Sequence, residues 1–292
     1  MIDFKREGFV LAWHNHSLNL DNRTHIMGVL NVTPDSFSDG GLYFQKDKAI
    51  EQGLAMAYEG ADIIDIGGES TRPYSDTVSP DEELDRVIPV IEALAKEIKI
   101  PISIDTCKAT VARDALRAGA SIINDISALR FDSEMASVAA EAGIPIILMH
   151  MQGTPGNMQN NPTYDHLIPE ILEFLKNAID RAVKAGVRKD LIIIDPGIGF
   201  GKTFNHNFEI IKELNQFGSL RRPILLGTSR KAFIGHILDK EPNERDNGTM
   251  ATVSASILNG AHIVRVHNVK RTLETVKVID AIRMAGQEAH TT

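Results

Sequence analysis

Short aliphatic runs in this chain repeatedly end in a carboxylate, an amide or a base. Eight such runs occur, and the polar residues at or just after their ends are Asn31, Asp65, Asp105, Asn124, Asp125, His150, Asp195, Ser229, Lys231, Arg265 and His267. A carboxylate accepts two N–H donors side by side, and a lysine donates to ring nitrogens or oxygens. Asp105, Asp195 and Lys231 therefore suit a neutral heterocycle with several N–H donors, such as an amino-oxo pyrimidine ring. Asn124 adds an amide to this set.

A second set of residues suits an anion. Arg265 and His267 lie at the end of the last run, and Asn31 lies at the end of the first. In a closed barrel these strands are neighbours, so the three side chains suit a phosphate or pyrophosphate accompanied by Mg²⁺. A structural ion-pair network between Arg265 and the acids is the alternative, although it leaves many acceptors and amides unpaired. Taken alone, Asn31 fits better as a turn residue before Thr33.

The aliphatic runs must be the strands that position these side chains. They do not alternate apolar with polar residues, which is typical of strands covered on both faces. Helical patterns lie between them, such as residues 79–98, where Ser79 fits an N-cap and Pro80 the first helical position. This alternation predicts an α/β fold, a (β/α)8 TIM barrel with a parallel eight-stranded core. An open doubly wound sheet is the alternative, but no G-x-G-x-x-G fingerprint follows the first strand.

A barrel would bring the polar residues together, because the C-terminal ends of its strands meet on one face, where active sites lie. We predict a single domain over residues 1–292, in which residues 1–23 form a short N-terminal extension that covers the opposite end of the barrel. The polar segment 32–45 is long for a connection between a strand and a helix. It is therefore expected to cover the site.

Three familiar chemical readings are not supported by the sequence. The segment DPGIGFGKT approaches a P-loop, but Pro196 occupies a position that must be glycine. Cys107 follows Asp105, yet no histidine with a clear partner role is nearby, so a packed thiol is expected. His150 lacks the spacing of a metal-binding pair and is expected to be structural.

Composition restricts the class of protein. The formal net charge of -8 over 292 residues argues against a nucleic-acid partner. One cysteine excludes a disulfide framework and a thiolate zinc cage, and it fits a reducing compartment. No apolar run approaches the length of a membrane-spanning helix. We therefore expect a cytoplasmic location and no membrane partner.

Six segments between about residues 25 and 269 form a recognisable colinear series: MGVLNVTPDSFSDGG, DIGGESTRP, NDIS, DPGIGFGKT, GTSRK and RVHNV. Together they resemble the dihydropteroate synthases, a family of pterin-binding enzymes. The resemblance implies that p-aminobenzoate condenses with 6-hydroxymethyl-7,8-dihydropterin pyrophosphate to give 7,8-dihydropteroate and pyrophosphate. It also implies a place in folate biosynthesis, a Mg²⁺ cofactor and inhibition by sulfonamides.

The same resemblance implies a role for each matched residue. It assigns the pterin pocket to Asp105, Asn124, Met149, Asp195, Gly227 and Lys231. It assigns the pyrophosphate site to Asn31, Arg265 and His267, with Asn31 also near Mg²⁺. It assigns the p-aminobenzoate contacts and the loops that close over them to Asp35, Phe37, Thr71, Arg72, Pro73, Phe200 and Ser229. The implied catalytic residues are Asp105, Asp195, Lys231, Arg265 and His267, and no protein nucleophile is required.

Two positions depart from the family pattern. Tyr74 stands where glycine is expected, and Asn268 stands where aspartate is expected. The lost charge next to His267 is expected to alter the pKa or the orientation of that imidazole. Two alternatives stay open: a corrinoid-dependent methyltransferase with the same fold, and a non-catalytic pterin-binding paralogue.

A homodimer is also implied, because dimers are common in the family. Residues 269–285 form a helical pattern with an apolar face that could serve as the interface. That face could equally pack on the barrel.

Overall fold

The computed structural model describes residues 6–33, 42–70 and 77–285, without the side chains of residues 42–45. Ten strands lie in this part of the chain: β1 Val10–Trp13, β2 His16–Asn19, β3 His25–Asn31, β4 Ile63–Gly67, β5 Ile102–Asp105, β6 Ile122–Asp125, β7 Ile146–Met149, β8 Ile192–Asp195, β9 Leu225–Leu226 and β10 Ile263–Val266. The same part contains nine α-helices: α1 Leu42–Tyr58, α2 Pro80–Glu97, α3 Ala109–Ala118, α4 Met135–Ala142, α5 Leu167–Lys184, α6 Phe204–Lys212, α7 Ala232–Leu238, α8 Asp246–Leu258 and α9 Val269–Met284.

Strands β3 to β10 form one parallel sheet in the order β8-β7-β6-β5-β4-β3-β10-β9. The two ends of that order meet, because Ile194 of β8 forms a parallel bridge to Ile224 next to β9. The amide of Ile194 also donates a hydrogen bond to the carbonyl of Pro223 at 3.0 Å. Each barrel strand is followed by at least one helix. The predicted (β/α)8 fold is thereby confirmed.

The helices cover the outside of the barrel with apolar residues, as α2 illustrates. Ser79 caps this helix, accepting a hydrogen bond from the amide of Glu82 at 3.2 Å, and Pro80 occupies the first turn. Val87 and Ile91 then point inward and are fully buried. The predicted N-cap and the helical spacing are both present. In the described residues no helix is both long and apolar enough to cross a bilayer.

The strand register brings the polar ends into one row. Asn31 of β3 pairs with Gly67 of β4, Gly67 pairs with Asp105 of β5, and Asp105 pairs with Asn124 of β6. Alternate residues of a strand face the same side, so this row fixes which side chains enter the barrel mouth. A Cβ atom at Gly67 would lie 3.7 Å from Asp105 Oδ2 and 3.8 Å from Asn31 Oδ1. Gly67 therefore lies between these two polar groups in the row of strand ends.

An antiparallel hairpin precedes the barrel. Strands β1 and β2 pair with each other, with Leu11 opposite Leu18, and both leucines are buried. We did not predict this hairpin, although Leu11 and Trp13 alternate with exposed neighbours, as edge strands often do. The carbonyl of Glu7 lies 2.9 Å from His262 Nε2, just before β10 begins. This contact supports the predicted covering role of the extension, which stays a prediction together with the single-domain division.

The last helix is tied to the first barrel strand by a buried carboxylate, which yields a stability prediction. Asp280 of α9 accepts hydrogen bonds from Thr24 N at 2.7 Å and from Thr24 Oγ1 at 2.9 Å. Asp280→Ala leaves these buried donors unpaired, so the free energy of unfolding should fall by about 2–4 kcal/mol. Urea unfolding measures this change. Lys277→Ala, at an exposed position of the same helix, should stay within about 0.5 kcal/mol of the parent; equal midpoints for both variants would contradict the role of Asp280.

Candidate active site

A pocket lies at the carboxyl ends of the barrel strands. It is lined by Asp105, Asn124, Ile126, Met149, Asp195, Ile198, Phe200, Gly227, Lys231 and Arg265. Every lining residue except Ile126 and Ile198 was predicted from the sequence. Ile126 follows the polar end of β6 by one position, Ile198 follows the polar end of β8 by three, and both supply apolar walls. The lining therefore combines two carboxylates, an amide and two cations with flat and apolar surfaces.

Arg265 forms the electrostatic centre of this pocket. Its Nε donates to Asp65 Oδ2 at 2.6 Å, and its Nη2 donates to Asp105 Oδ2 at 2.7 Å. Asn124 Nδ2 donates to the same Asp65 oxygen at 3.0 Å. The ion-pair network weighed from the sequence is therefore present. It uses two of the five N–H donors of the guanidinium and leaves the rest for a ligand.

Two acceptor atoms of this network have no hydrogen-bond donor in the part of the chain that the structure describes. Asp65 Oδ1 and Asp105 Oδ1 are buried and have no hydrogen-bond partner among the described residues. One guanidinium faces two carboxylates, so the cluster carries excess negative charge. Burial raises the pKa of Asp105, and the nearby Asp65 carboxylate acts in the same direction, against Arg265. A pair of buried carboxylates with unused acceptors is suited to a ligand that brings N–H donors.

Asp195 faces the pocket from β8. Its Oδ1 accepts a hydrogen bond from Gly197 N at 2.7 Å. Burial raises the pKa of Asp195 to about 6, although this hydrogen bond and the charges of Lys231 and Lys202 oppose the rise. Gly197 has φ of 75°, and a Cβ atom there would lie 1.9 Å from the carbonyl oxygen of His150. Only glycine fits this close turn, which folds the loop 196–201 back over the end of β7.

Lys231 crosses the pocket towards Phe200. Its Nζ lies 4.3 Å from the centre of the Phe200 ring, a cation–π contact. Burial lowers the pKa of Lys231 to about 8, and the neighbouring Arg265 charge lowers it further, against Asp195 and Asp105. Lys231 can thus donate to a ligand that sits between the aromatic ring and the acids.

The predicted anion residues lie beside this pocket. Asn31 ends β3, and His267 follows β10, the strand that pairs with β3. His267 Nδ1 lies 2.9 Å from Ser229 Oγ, so Ser229, which the resemblance assigned to p-aminobenzoate contacts, is joined to the predicted pyrophosphate site. Among the described residues, no group of three or more His, Cys, Asp or Glu side chains is arranged to hold a metal ion.

Cys107 and His150 have structural surroundings. Burial raises the pKa of the Cys107 thiol well above its usual range, and the adjacent Asp125 carboxylate raises it further. Burial also lowers the pKa of His150 to about 2, with the Lys202 charge acting in the same direction. A protonated thiol and a neutral imidazole agree with the expectations for both residues.

Asn268 caps helix α9. Its Oδ1 accepts from Arg271 N at 3.2 Å, and its Nδ2 donates to Asp246 Oδ2 at 2.8 Å. Asp246 also accepts from Arg230 Nε at 3.1 Å. An aspartate at position 268 would face Asp246 with no proton to donate, so asparagine suits this neighbour. The expected effect on His267 stays a prediction.

Several predicted residues lie outside the described part of the chain: Asp35, Phe37, Thr71, Arg72, Pro73 and Tyr74. Two residues that shape the site were not in the predicted set. Asp65 does come at a strand end, which was a usable signal, but its role requires knowing that Arg265 reaches it across the barrel. Lys202 carried no signal beyond its place after the glycine-rich turn.

The comparisons with known proteins agree with this geometry. Residues 27–267 match the family profile described as Pterin binding enzyme. The chain belongs to the pterin-binding enzyme family. The family resemblance identified from the sequence is thereby confirmed.

Individual members of the pterin-binding enzyme family are similar over nearly the whole chain. The dihydropteroate synthase of Bacillus subtilis (strain 168) is 51% identical over 276 residues, covering 94% of each chain. The crystal structure of the Yersinia pestis dihydropteroate synthase with a sulfonamide drug complex has a TM-score of 0.90 at 44% identity, covering 95% of this chain and 100% of that one. The Xanthomonas albilineans enzyme in complex with 7,8-dihydropteroate has a TM-score of 0.84 at 40% identity, covering 92% and 97%.

The shared partner of Arg265 and Asn124 provides a second prediction. Asp65→Ala leaves the Arg265 charge and the Asn124 amide without their common acceptor, so the free energy of unfolding should fall by about 3–5 kcal/mol. Ser103 pairs with Asp65 in the strand register, and its buried hydroxyl has no hydrogen-bond partner among the described residues. Ser103→Ala should therefore change stability by less than about 1 kcal/mol. Chemical unfolding of both variants tests the contrast, and a small loss for Asp65→Ala would argue against the ion pairs.

Proposed function

We propose that this protein condenses 6-hydroxymethyl-7,8-dihydropterin pyrophosphate with p-aminobenzoate to give 7,8-dihydropteroate and pyrophosphate, in folate biosynthesis. The observation that carries the proposal is the pocket in which Asp105, Asn124, Asp195 and Lys231 converge next to Arg265. Related enzymes with the same fold are described with a sulfonamide drug and with 7,8-dihydropteroate bound. The reaction also makes this protein a target of sulfonamides.

The pterin ring would lie flat in this pocket. Its amino and ring N–H groups would donate to Asp105 and Asp195, whose carboxylates have few other donors. Asn124 can both donate and accept, and Lys231 would donate to a ring acceptor. Met149 and Gly227 would form an apolar wall and a point of close approach. The buried carboxylates recognise the neutral ring because an unpaired buried acceptor is costly until a donor arrives.

The pyrophosphate group would leave towards the neighbouring strands. Arg265 has unused N–H donors, and His267 and Asn31 lie at the ends of β10 and β3. These groups would bind the negative charge that grows on the leaving oxygen. They act on charge that is larger in the transition state than in the ground state, so they lower the barrier as well as aid binding.

Mg²⁺ fits this part of the site if most of its ligands come from the substrate pyrophosphate and water rather than from protein side chains. The ion prefers oxygen ligands and usually keeps waters and substrate phosphates in its shell. Asn31 offers one side-chain oxygen, and the described residues contain no larger cluster of acids, histidines or cysteines. When bound, the ion would neutralise charge on the pyrophosphate. We propose Asn31 as its protein contact.

The chemistry needs no protein nucleophile. The carbon–oxygen bond to pyrophosphate breaks, and the resulting positive charge spreads into the pterin. The amine nitrogen of p-aminobenzoate then bonds to that carbon and releases one proton. Asp105 and Asp195 would offset the positive charge of the ring during this step.

The second substrate would bind over the pterin. Phe200 offers a ring to stack on, while Lys231 and Ser229 offer polar contacts. The resemblance adds Asp35, Phe37, Thr71, Arg72 and Pro73, which lie outside the described residues. We propose that these residues order p-aminobenzoate and exclude water, which would otherwise capture the carbon.

We further propose a homodimer in the cytoplasm. The outward face of α9 carries Val278 and Ile282, which are 60% and 50% exposed. Apolar side chains in such a position support a subunit interface. The single cysteine supports a reducing compartment.

A direct assay tests the function. Purified protein with the pterin pyrophosphate, Mg²⁺ and p-aminobenzoate should release pyrophosphate together with a new pteroate product. Asp195→Asn keeps the shape of the side chain but loses its charge, so transition-state binding should weaken by about 2–5 kcal/mol, measured as kcat/KM. Asp190→Asn is the matched control, because Asp190 precedes the same strand at the opposite end of the barrel. Pterin binding without pyrophosphate release would favour an inactive paralogue, and activity that needs a corrinoid partner would favour a methyltransferase.

Pterin affinity should also depend on pH. The carboxylate form of Asp195 accepts the ring donors, and its pKa in the unliganded protein is about 6. Asp105 must accept ring donors in the same form, and burial raises its pKa to about 7. Affinity should therefore be full only above about pH 8 and should fall by about tenfold or more per pH unit well below pH 6, since at least one proton must be displaced. Calorimetric titration with 6-hydroxymethylpterin, which carries no phosphate, measures this from pH 5 to 8. A flat profile would show that neither Asp195 nor Asp105 binds the ring as a carboxylate.

A further inference from the structure

Lys202 is a buried lysine that the proposed reaction does not use. It follows the loop 196–201 and is only 2% exposed. Its Nζ lies 2.9 Å from His150 Nδ1 and donates to the carbonyl of Phe200 at 3.0 Å. Both contacts are to neutral acceptors, because burial keeps the His150 imidazole unprotonated. Burying an ammonium group among neutral partners is costly, so its retention calls for a reason.

The charges around Lys202 explain why a lysine is buried at this position. Burial lowers the pKa of Lys202 to about 7, the Asp195 carboxylate raises it, and the Lys231 charge lowers it. Asp195 in turn is affected by Lys231 from the loop after β9, by Lys202 and by Arg265 from β10, besides its hydrogen bond from Gly197. Lys202 is not among the residues that line the pocket, whereas Lys231 and Arg265 are. It is thus the cation near Asp195 that a pocket ligand does not touch.

Lys202 also connects the pocket wall to the barrel. Through the Phe200 carbonyl it holds the residue whose ring lies against Lys231, and through His150 it reaches the end of β7. The loop between these points is already pressed against His150 at Gly197. Lys202 therefore acts on the pocket without lining it, through its charge and through its hydrogen bonds.

We propose that Lys202 is a positioning residue for pterin binding: it keeps Asp195 in the ionised form that accepts the pterin N–H groups, and it fixes Phe200 in the pocket wall. This proposal rests on the proposed function, because it concerns the pocket in which that function places the pterin. The Lys202 charge is present over the acid part of the range in which Asp195 titrates, because the pKa of Lys202, about 7, lies above that of Asp195, about 6.

The two effects differ in their dependence on pH. Removing the Lys202 charge raises the pKa of Asp195, so the part of the acid loss that Asp195 causes begins at a higher pH. Asp105 also titrates in this range, because burial raises its pKa to about 7, but the charges that act on it most strongly are Arg265, Asp65, Glu83 and Lys231. The variants should therefore leave its part of the profile in place. At pH 9 Lys202 is mostly neutral and Asp195 is ionised, so the charge then contributes little. A purely mechanical role would instead weaken binding by the same factor at every pH.

The test is calorimetric titration of 6-hydroxymethylpterin from pH 5 to 9 with the full chain, its Lys202→Met variant and its Lys202→Gln variant. Lys202→Met should move the acid limb upwards by about one pH unit, which lowers affinity about tenfold at pH 5 and leaves it within about threefold at pH 9. Lys202→Gln keeps a hydrogen-bond donor for the Phe200 carbonyl but carries no charge. It should therefore show the same shift of the acid limb with a smaller loss of affinity at high pH. If Lys202→Met fails to fold, Lys202→Gln alone tests the shift. Lys212→Met, at an exposed position of α6, should leave the profile unchanged.

Each outcome separates the two proposals. An unshifted acid limb in both variants overturns the charge effect of Lys202, and an affinity that is also unchanged at every pH overturns its hold on Phe200; either result leaves the proposed function standing. A parent protein that binds no pterin at any pH overturns the proposed function, and the role of Lys202 falls with it.

Discussion

Arg265 shares one guanidinium between two buried carboxylates, and the rest of the pocket is arranged around that pairing. Asp65 and Asp105 come from neighbouring strands, whereas Arg265 reaches them from two and three strands away. The curvature of the barrel turns these three strand ends towards one another at its mouth, within reach of one side chain. One positive charge cannot satisfy two buried negative ones, so the cluster keeps acceptor atoms in reserve. The pocket is therefore incomplete without a ligand that supplies donors.

The distribution of charge in this mouth differs from that of an ordinary structural ion pair. A purely structural network gains most when every buried group is satisfied. Here Asp195 and Asp105 have raised pKa values, and Lys231 and Lys202 have lowered ones, because burial disfavours each charge on its own. Opposed shifts of this kind are common in binding and catalytic sites. These four buried charges therefore lower the stability of a barrel whose core is otherwise aliphatic.

The barrel and most of the pocket could be predicted from the sequence, because both depend on local patterns. Aliphatic runs without alternation predict doubly covered strands, and a polar residue at the end of such a strand must lie at the barrel mouth. What could not be predicted depends on contacts between distant parts of the chain. Asp65 was visible as a strand end, but its link to Arg265 crosses 200 residues. Lys202 is buried by the return of its loop over His150, which depends on the φ of Gly197. The hairpin β1–β2 gives little signal in the sequence, because its alternation covers only a few residues.

The seam of the barrel has a consequence for motion. Strand β9 contains two residues, and it joins β8 through a single bridge at Ile194. With so few ladder hydrogen bonds, this seam is the place where the sheet can open locally at the smallest free-energy cost, and its amides would exchange with solvent first. Asp195 lies on one side of the seam, and Gly227 and Lys231 lie on the other. A ligand held by both sides acts as a cross-link across the weakest joint of the barrel, so occupancy of the pocket and closure of the sheet are thermodynamically coupled.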